Sequence, residues 1–322
     1  MEKVSATHPY YKGIMEHEQY DEWWSNYSLR DKYDEVAVPS FFITGWFDSL
    51  QNENFKLFNG WSKQAKTKDA REKTKLLVGP WSHQIAPWGR VFMGENGEYA
   101  DRTFGKQALS DVIEMHMHWY DQHLKDVDTG VNDDAPIRLF VMGENVWRDE
   151  YEWPLTRTEW TKFYLSSNGD GAGESGLLST KMIEGDHPSS RYIYDPADPT
   201  PSLGSQYQTF DFCGPHDRSK IQDRADVLVF TTDVLSEDVE VTGPILATIW
   251  AASDRVDTDF TAALTDVEPD GKAIALCEGI VRARFRNGTN NPMMMTPFEI
   301  YKFEIDMWNT SNSFKKGHRI RI

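Results

Sequence analysis

The 322-residue chain is 39 % hydrophobic and 13 % aromatic, a composition typical of globular domains and not of disordered or collagen-like chains. Its 51 acidic residues outnumber its 34 basic residues, which gives a formal net charge of −17. Binding to nucleic acids and to anionic membranes depends on basic side chains, so the acidic excess argues against both partners. At about 100–200 residues per domain, the length predicts two domains.

The cysteines and the N-terminal sequence indicate the cellular compartment in which the protein is expected. Cys213 and Cys277 are too few for a disulfide framework and lack the spacing of a zinc site, so we expect two buried thiols, with one bridge between them as the alternative. The chain has no apolar run of about 20 residues and no hydrophobic leader after Met1. We therefore expect a soluble, cytoplasmic protein if Met1 is its natural start.

Aromatic residues dominate the first predicted helix, residues 16–27. Tyr20, Trp23, Trp24 and Tyr27 recur at the spacing of one helix face. We interpret this face as core packing. The alternative is that Trp23 or Trp24 lines a pocket.

A strand–helix–strand pattern follows. Residues 39–45 and 75–80 are apolar runs that end in turn residues, and residues 54–65 between them are predicted to be helical. Such a unit favours a parallel sheet covered by helices. Residues 104–125 are predicted to form a longer helix, whose apolar face comprises Leu109, Val112, Ile113, Met117 and Tyr120.

The pattern changes after residue 135, where short strands alternate with turns and no long helix intervenes. This arrangement predicts an antiparallel sandwich or jelly roll. The loop over residues 195–223 is long enough to suggest a functional role. The predicted strands cover residues 137–142, 162–165, 192–194, 227–231, 245–251, 260–267, 273–284, 299–305 and 319–322.

Two polar side chains follow the first two predicted strands. Asp48 ends the sequence Gly45-Trp46-Phe47-Asp48, and His83 ends Gly79-Pro80-Trp81-Ser82-His83. Ligands and reactive groups gather at the carboxyl ends of parallel strands. An Asp that accepts a hydrogen bond from one imidazole nitrogen orients the ring, while the other nitrogen takes a proton from a nucleophile. The alternative is a turn residue and an ordinary surface histidine.

These two segments resemble the acid and histidine segments of the cocaine esterase family, the CocE/NonD-type α/β-hydrolases. That family is related to X-Pro dipeptidyl peptidases and α-amino-acid ester hydrolases. The resemblance covers nearly the whole chain, because further segments resemble the family's jelly-roll domain. These are residues 138–143, 147–150, 153–155, 194–199, 240–243, 256–260 and 273–281.

The resemblance implies the C-terminal half of an α/β-hydrolase sheet domain followed by a β-sandwich jelly roll. The expected divisions are residues 1–35 (the tail of a helical cap), 36–134 (the α/β-hydrolase half with the acid and the histidine) and 135–322 (the jelly roll, truncated at its C-terminus). The implied reaction is hydrolysis of an ester or amide through an acyl-enzyme, with Asp48 and His83 as two members of a Ser-Asp-His triad. No metal or organic cofactor is implied.

The nucleophile expected from the resemblance is absent from the sequence. The family places its serine in a Gly-x-Ser-x-Gly elbow upstream of the acid, and the chain contains no such elbow. Gly173-Glu174-Ser175-Gly176 lies after His83 and lacks the spacing. We therefore expect a fragment that is inactive alone and needs a nucleophile-bearing N-terminal segment or chain. The alternative is a non-catalytic ligand-binding or structural module.

Two neighbours of the expected triad residues bear on the substrate, a small-molecule ester or amide. Amino-acid ester hydrolases carry acidic residues directly after the catalytic Asp, whereas Asp48 is followed by Ser49, Leu50 and Gln51. A substrate ammonium needs an anionic partner, so a free α-amino group is disfavoured. Leu50 and Trp81 would suit an apolar acyl or aromatic group, and the alternative is plain packing.

Overall fold

The computed structural model describes residues 10–83, 93–167, 175–182, 185, 188–206 and 212–322. Its helices are α1 (Tyr11–Glu16), α2 (Glu22–Ser25), α3 (Gln51–Gln64), α4 (Lys68–Lys73), α5 (Val112–Leu124) and α6 (Ser219–Gln222). Its strands are β1 (Phe41–Phe47), β2 (Lys75–Ser82), β3 (Glu98–Tyr99), β4 (Arg102–Thr103), β5 (Ile137–Val141), β6 (Val146–Glu150), β7 (Tyr164–Ser166), β8 (Ser175–Ser179), β9 (Val229–Thr231), β10 (Val239–Ala251), β11 (Asp259–Val267), β12 (Ala273–Arg282), β13 (Tyr301–Phe314) and β14 (Arg319–Arg321).

The first sheet has the strand order β1-β2-β5-β6. β1 and β2 are parallel, as the strand–helix–strand pattern predicts, and α3 and the short helix α4 form the connection between them. The two strands approach closely because Gly45 has no side chain. A Cβ atom at Gly45 would lie 1.9 Å from the carbonyl oxygen of Trp81.

The positions of β5 and β6 differ from the expected domain division. Residues 137–142 were expected to open the jelly roll, but β5 pairs in parallel with β2 and continues the first sheet. β6 then pairs with β5 in the antiparallel direction at the edge of the sheet. Ile137, Leu139 and Phe140 are completely buried, as expected for an inner strand. The first sheet therefore extends past residue 135.

Apart from Glu16, which ends α1, only residues 22–25 of the predicted helix over residues 16–27 form a helix, α2. Asp21 accepts hydrogen bonds from the backbone N–H groups of Trp23 and Trp24, and this side-chain cap begins α2. Trp23 stacks on His17 with ring centroids 5.0 Å apart, and Trp24 donates its indole N–H to the carbonyl of His17. Local packing therefore accounts for both tryptophans.

The predicted helix over residues 104–125 is also shorter than expected. Gly105 has a φ of 82°, and Asp111 caps α5 by accepting from the N–H of Glu114. Its buried residues are Val112 and Trp119, whereas Ile113, Met117 and Tyr120 of the predicted apolar face are half exposed. Trp119 packs on Phe41 of β1 with centroids 5.4 Å apart, so only one side of α5 faces the sheet.

The second half forms a six-stranded sheet in the order β12-β11-β14-β9-β8-β7 and a two-stranded sheet, β10-β13. The strand pairs are antiparallel except β8 and β9, which are parallel. The two sheets pack through Phe260 and Phe303, whose ring centroids lie 4.5 Å apart. The predicted strand over residues 192–194 is not formed, and Ile193 is 87 % exposed because no neighbouring strand covers it.

β13 connects the two halves. The predicted strand ended at residue 305, but β13 runs on through five consecutive buried polar residues, Asn309–Ser313. Met142, just after β5, receives the N–H of Ser313 and donates its own N–H to Ser311. One hydrophobic cluster accordingly includes residues of both halves. Cys213 and Cys277 are buried and do not form a disulfide, as expected.

Candidate active site

Asp48 and His83 lie side by side at the carboxyl ends of β1 and β2. Nδ1 of His83 is 3.1 Å from Oδ1 of Asp48. The Asp48 side chain is only 2 % exposed, whereas that of His83 is 44 % exposed. The pair therefore has a buried carboxylate on one side and an imidazole that reaches the surface on the other.

Local donors hold the carboxylate of Asp48 in one orientation. The hydroxyl of Thr44, which is buried in β1, donates to Oδ2 over 3.1 Å. The backbone N–H of Leu50 donates to Oδ1 over 2.8 Å. The carboxylate also precedes the N-terminus of α3, where the helix dipole favours negative charge. With its other contacts satisfied, Oδ1 is left to accept the Nδ1–H of His83, which fixes the imidazole tautomer with Nε2 as the basic nitrogen.

Leu50 and Trp81 have different environments, although both flank the pair. Leu50 is 44 % exposed beside Asp48, so it is available to a bound molecule. Trp81 has no exposed surface, and its indole N–H donates to the carbonyl oxygen of Thr44 over 2.8 Å. The ring of Trp81 therefore lies against Gly45 of β1 and Gly79 of β2 and offers no surface to a substrate, which is the packing alternative.

A buried tyrosine, which the sequence reasoning missed, lies behind the end of β2. The hydroxyl of Tyr99 donates to the carbonyl oxygen of Cys213 over 3.1 Å and also contacts Ser82, the residue before His83. Burial raises the pKa of Tyr99, and its contact with Cys213 raises it further, so the phenol stays protonated. The loop over residues 195–223 thus supports β2 through Tyr99. A lone tyrosine in a turn gives no sequence signal for this contact.

The serine residues nearest in sequence to the pair are not placed as nucleophiles. Among the described residues, the hydroxyl of Ser49 has no hydrogen-bond partner, and that of Ser82 is buried beside the hydroxyl of Tyr99. Ser49 lies in the strand-to-helix turn between β1 and α3, but Phe47 and Gln51 stand where a Gly-x-Ser-x-Gly elbow has its glycines, and Ser82 ends β2. Gly173 and Glu174 lie outside the described residues, and β8 begins at Ser175.

No metal-binding cluster is found among the residues that the structure describes, taking groups of three or more His, Cys, Asp and Glu side chains. Two acidic residues at or just before the start of β11 have arginine partners. Asp259 pairs with Arg282 over 2.6 Å, and Asp257 pairs with Arg284 over 3.5 Å. Within the same described part of the chain, no helix is both long and apolar enough to cross a membrane.

Two family models match the chain and define its class. The model of the X-Pro dipeptidyl-peptidase S15 family matches residues 1–85, which include Asp48 and His83. The model of the C-terminal non-catalytic domain of X-Pro dipeptidyl-peptidase matches residues 129–322. The class is therefore that of the proteins related to the X-Pro dipeptidyl-peptidases.

Comparison with an individual protein identifies the family within this class. It is 42 % identical over 316 residues to cocaine esterase of Rhodococcus sp. (strain MB1 Bresler), a match that covers 96 % of this chain and 52 % of the esterase. The chain belongs to the cocaine esterase-like CocE/NonD family of hydrolases. It spans about half the length of the relatives it matches.

Solved structures share its fold. An α-amino acid ester hydrolase superimposes with a TM-score of 0.81 at 22 % identity, over 98 % of this chain and 53 % of that one. A CocE/NonD family hydrolase from Staphylococcus aureus superimposes with a TM-score of 0.67 at 15 % identity, over 96 % of this chain and 50 % of that one.

Proposed function

We propose that the chain supplies the acid and the histidine of a serine esterase or acyl hydrolase, and that a separate nucleophile-bearing segment completes the site. The observation that carries this proposal is the 3.1 Å hydrogen bond between buried Asp48 and half-exposed His83 at adjacent strand ends. The buried carboxylate faces Nδ1, so Nε2 is the nitrogen that meets a nucleophile from outside.

The reaction then follows from the geometry. A serine hydroxyl attacks the acyl carbon of an ester or amide while its proton passes to Nε2 of His83. The carboxylate of Asp48 stabilises the imidazolium through the Nδ1–H, and Nε2 returns the proton to the leaving oxygen or nitrogen. Water repeats the sequence on the acyl-enzyme, with His83 again as the base, and the serine recovers its proton. No step uses a metal or an organic cofactor.

An open sheet edge supports the need for a partner segment. In the described residues, β1 pairs with β2 on one side and with no strand on the other. Parallel strands are normally covered on both sides, and an unpaired edge is a template for another strand. We propose that this edge is the middle of an α/β-hydrolase sheet. The second half would then be a jelly-roll sandwich, and residues 10–35 the tail of a helical cap.

A complementation assay tests the function. The chain would be co-expressed with the N-terminal part of a family member that carries the Gly-x-Ser-x-Gly elbow, and hydrolysis of p-nitrophenyl acetate would be followed. We expect no turnover above background from the chain alone and esterase activity from the complex. A stable complex that hydrolyses no ester or amide contradicts the proposal. Saturable ligand binding without hydrolysis would instead indicate a binding module.

Leu50 is proposed to disfavour substrates with a free ammonium group. In the complemented enzyme, Leu50→Asp places a carboxylate beside the acyl site. We expect the ratio of kcat/KM for an amino-acid ester to that for a neutral ester to rise about tenfold, because a charge-assisted hydrogen bond to the ammonium forms. The measurement is steady-state kinetics on a matched pair of esters with and without the amino group.

Leu50→Asn is the matched control, because it has the size of the aspartate without its charge. Its preference between the two esters should stay within about twofold of the original chain, a change too small for a hydrogen bond to a charged group. An unchanged preference in Leu50→Asp would show that residue 50 does not face the acyl site.

A further inference from the structure

The turn that carries Asp48 is fastened to the second half of the protein by one buried side chain. Gln51, the first residue of α3, has no exposed surface. Its Nε2 donates to the carbonyl oxygen of Asn309 over 2.5 Å, and its Oε1 accepts the backbone N–H of Asn309 over 3.2 Å. The side-chain amide of Asn309 also donates to Oε1 over 3.2 Å. Gln51 thereby pairs with β13 as a neighbouring strand would.

The carbonyl oxygen of Asn309 receives no backbone hydrogen bond from its partner position on β10, so it is available to Gln51. Its register partner on β10 is Pro244, which has no N–H to offer to the Asn309 carbonyl. The register of the two strands shifts just beyond this pair. Trp308 has a φ of 68°, a left-handed conformation that is unusual for an aromatic residue. Strained backbone of this kind is typical of functional positions.

The side chain of Asn309 is fixed as well. Its Oδ1 accepts the indole N–H of Trp153 over 3.1 Å. The ring of Trp153 in turn packs on Phe55 of α3, with ring centroids 4.5 Å apart. Both the start and the second turn of α3 are therefore held against the sandwich half, and the polar groups of Asn309 are all engaged.

Gln51 is coupled directly to the carboxylate turn. Its backbone N–H donates to the carbonyl oxygen of Asp48 over 3.1 Å, and the preceding N–H, that of Leu50, donates to Oδ1 of Asp48. A shift of Gln51 would move the Leu50 donor that orients the carboxylate. We propose that Gln51, which is held by hydrogen bonds to Asn309 of the sandwich half, is a positioning residue for Asp48. This inference rests on the proposed function, in which Asp48 orients His83.

Nitrogen NMR of the histidine rings in the labelled 322-residue chain tests the inference. At about pH 9 imidazoles are neutral, and the ring ¹⁵N shifts show which nitrogen carries the proton. We expect the Nδ1–H form of His83 to dominate in the original chain. In Gln51→Met, which keeps the length of the side chain but makes none of the three hydrogen bonds to Asn309, the ratio of the Nδ1–H form to the Nε2–H form should fall about fivefold or more.

Thr310→Val is the matched control. Thr310 is equally buried one position along β13, and its hydroxyl has no hydrogen-bond partner among the described residues. Its replacement should leave the tautomer ratio of His83 within about twofold, because it removes no contact with α3. A global loss of stability would lower the folded fraction in any variant without changing the ratio within the folded molecules.

Asp48→Ala separates the inference from the proposed function. If Asp48→Ala leaves the ratio unchanged, Asp48 does not orient His83 and both proposals fall. If Asp48→Ala changes the ratio and folded Gln51→Met does not, the positioning role of Gln51 is overturned alone. Should Gln51→Met not fold, Asn309→Ala removes one of the three hydrogen bonds to Gln51, and an unchanged ratio in that variant overturns the inference equally.

Discussion

Replacing His83 with Ala in the complemented enzyme is expected to lower kcat about a millionfold, and replacing Asp48 with Ala about ten-thousandfold. His83 moves the proton in both half-reactions, whereas Asp48 acts only by orienting and stabilising the imidazole. The double variant should be no slower than His83→Ala, because without the imidazole the carboxylate has nothing to orient. Steady-state kinetics on p-nitrophenyl acetate measures all three values.

His17 offers a matched control for this experiment. It pairs with Asp21 over 2.5 Å, also through Nδ1, but in the segment between α1 and α2. His17→Ala should therefore retain kcat within about twofold, as expected for a surface pair outside the site. Equal losses in His17→Ala and His83→Ala would show that the assay reports folding or assembly of the complex instead of chemistry.

Replacing Asp266 with Ala is expected to lower the free energy of unfolding by about 3–5 kcal/mol, the cost of removing one partner from a buried ion pair. Asp266 on β11 is fully buried. Its two oxygens bind Arg102 of β4 and His318, each over 2.8 Å. The variant leaves the guanidinium of Arg102 and the ring of His318, both mostly buried, without this carboxylate, although Arg102 keeps a contact with Glu268 over 3.2 Å. Urea unfolding of the chain followed by circular dichroism measures the loss.

Asp259→Ala is the control for charge removal on the same strand. Asp259 pairs with Arg282 at the surface, where both side chains are about one-third or more exposed. Exposed pairs contribute about 0–1 kcal/mol, so this variant should unfold close to the original midpoint. Similar midpoints for Asp259→Ala and Asp266→Ala would show that the buried cluster between β4 and β11 does not stabilise the fold.

The Asp266 cluster also bears on the site, because β4 belongs to the hairpin that carries Tyr99. That hairpin, β3-β4, lies behind the end of β2, where Tyr99 contacts the residue before His83. Arg102 ties the hairpin to β11. The sandwich half therefore supports the His83 side of the site through the hairpin and the Asp48 side through Gln51.

The sequence was sufficient where local chemistry decides the structure. Apolar, β-branched runs ended by glycine predicted β1 and β2, and the 35 residues from Asp48 to His83 predicted a helical connection between parallel strands. It failed where a partner far along the chain decides the outcome. A short apolar run at residues 137–142 fits either sheet, and only packing against β2 places it in the first.

The sequence by itself determined that Asp48 and His83 lie side by side. Parallel strands joined by a helical connection bring their carboxyl ends to the same edge of the sheet. The tertiary structure alone decided which neighbours hold that pair. Trp81 became core because Gly45 lets β1 approach it, and the polar run of β13 became buried because Gln51 and Met142 form hydrogen bonds with backbone groups of the run. Such groups find partners more than a hundred residues away, and no local pattern encodes that contact.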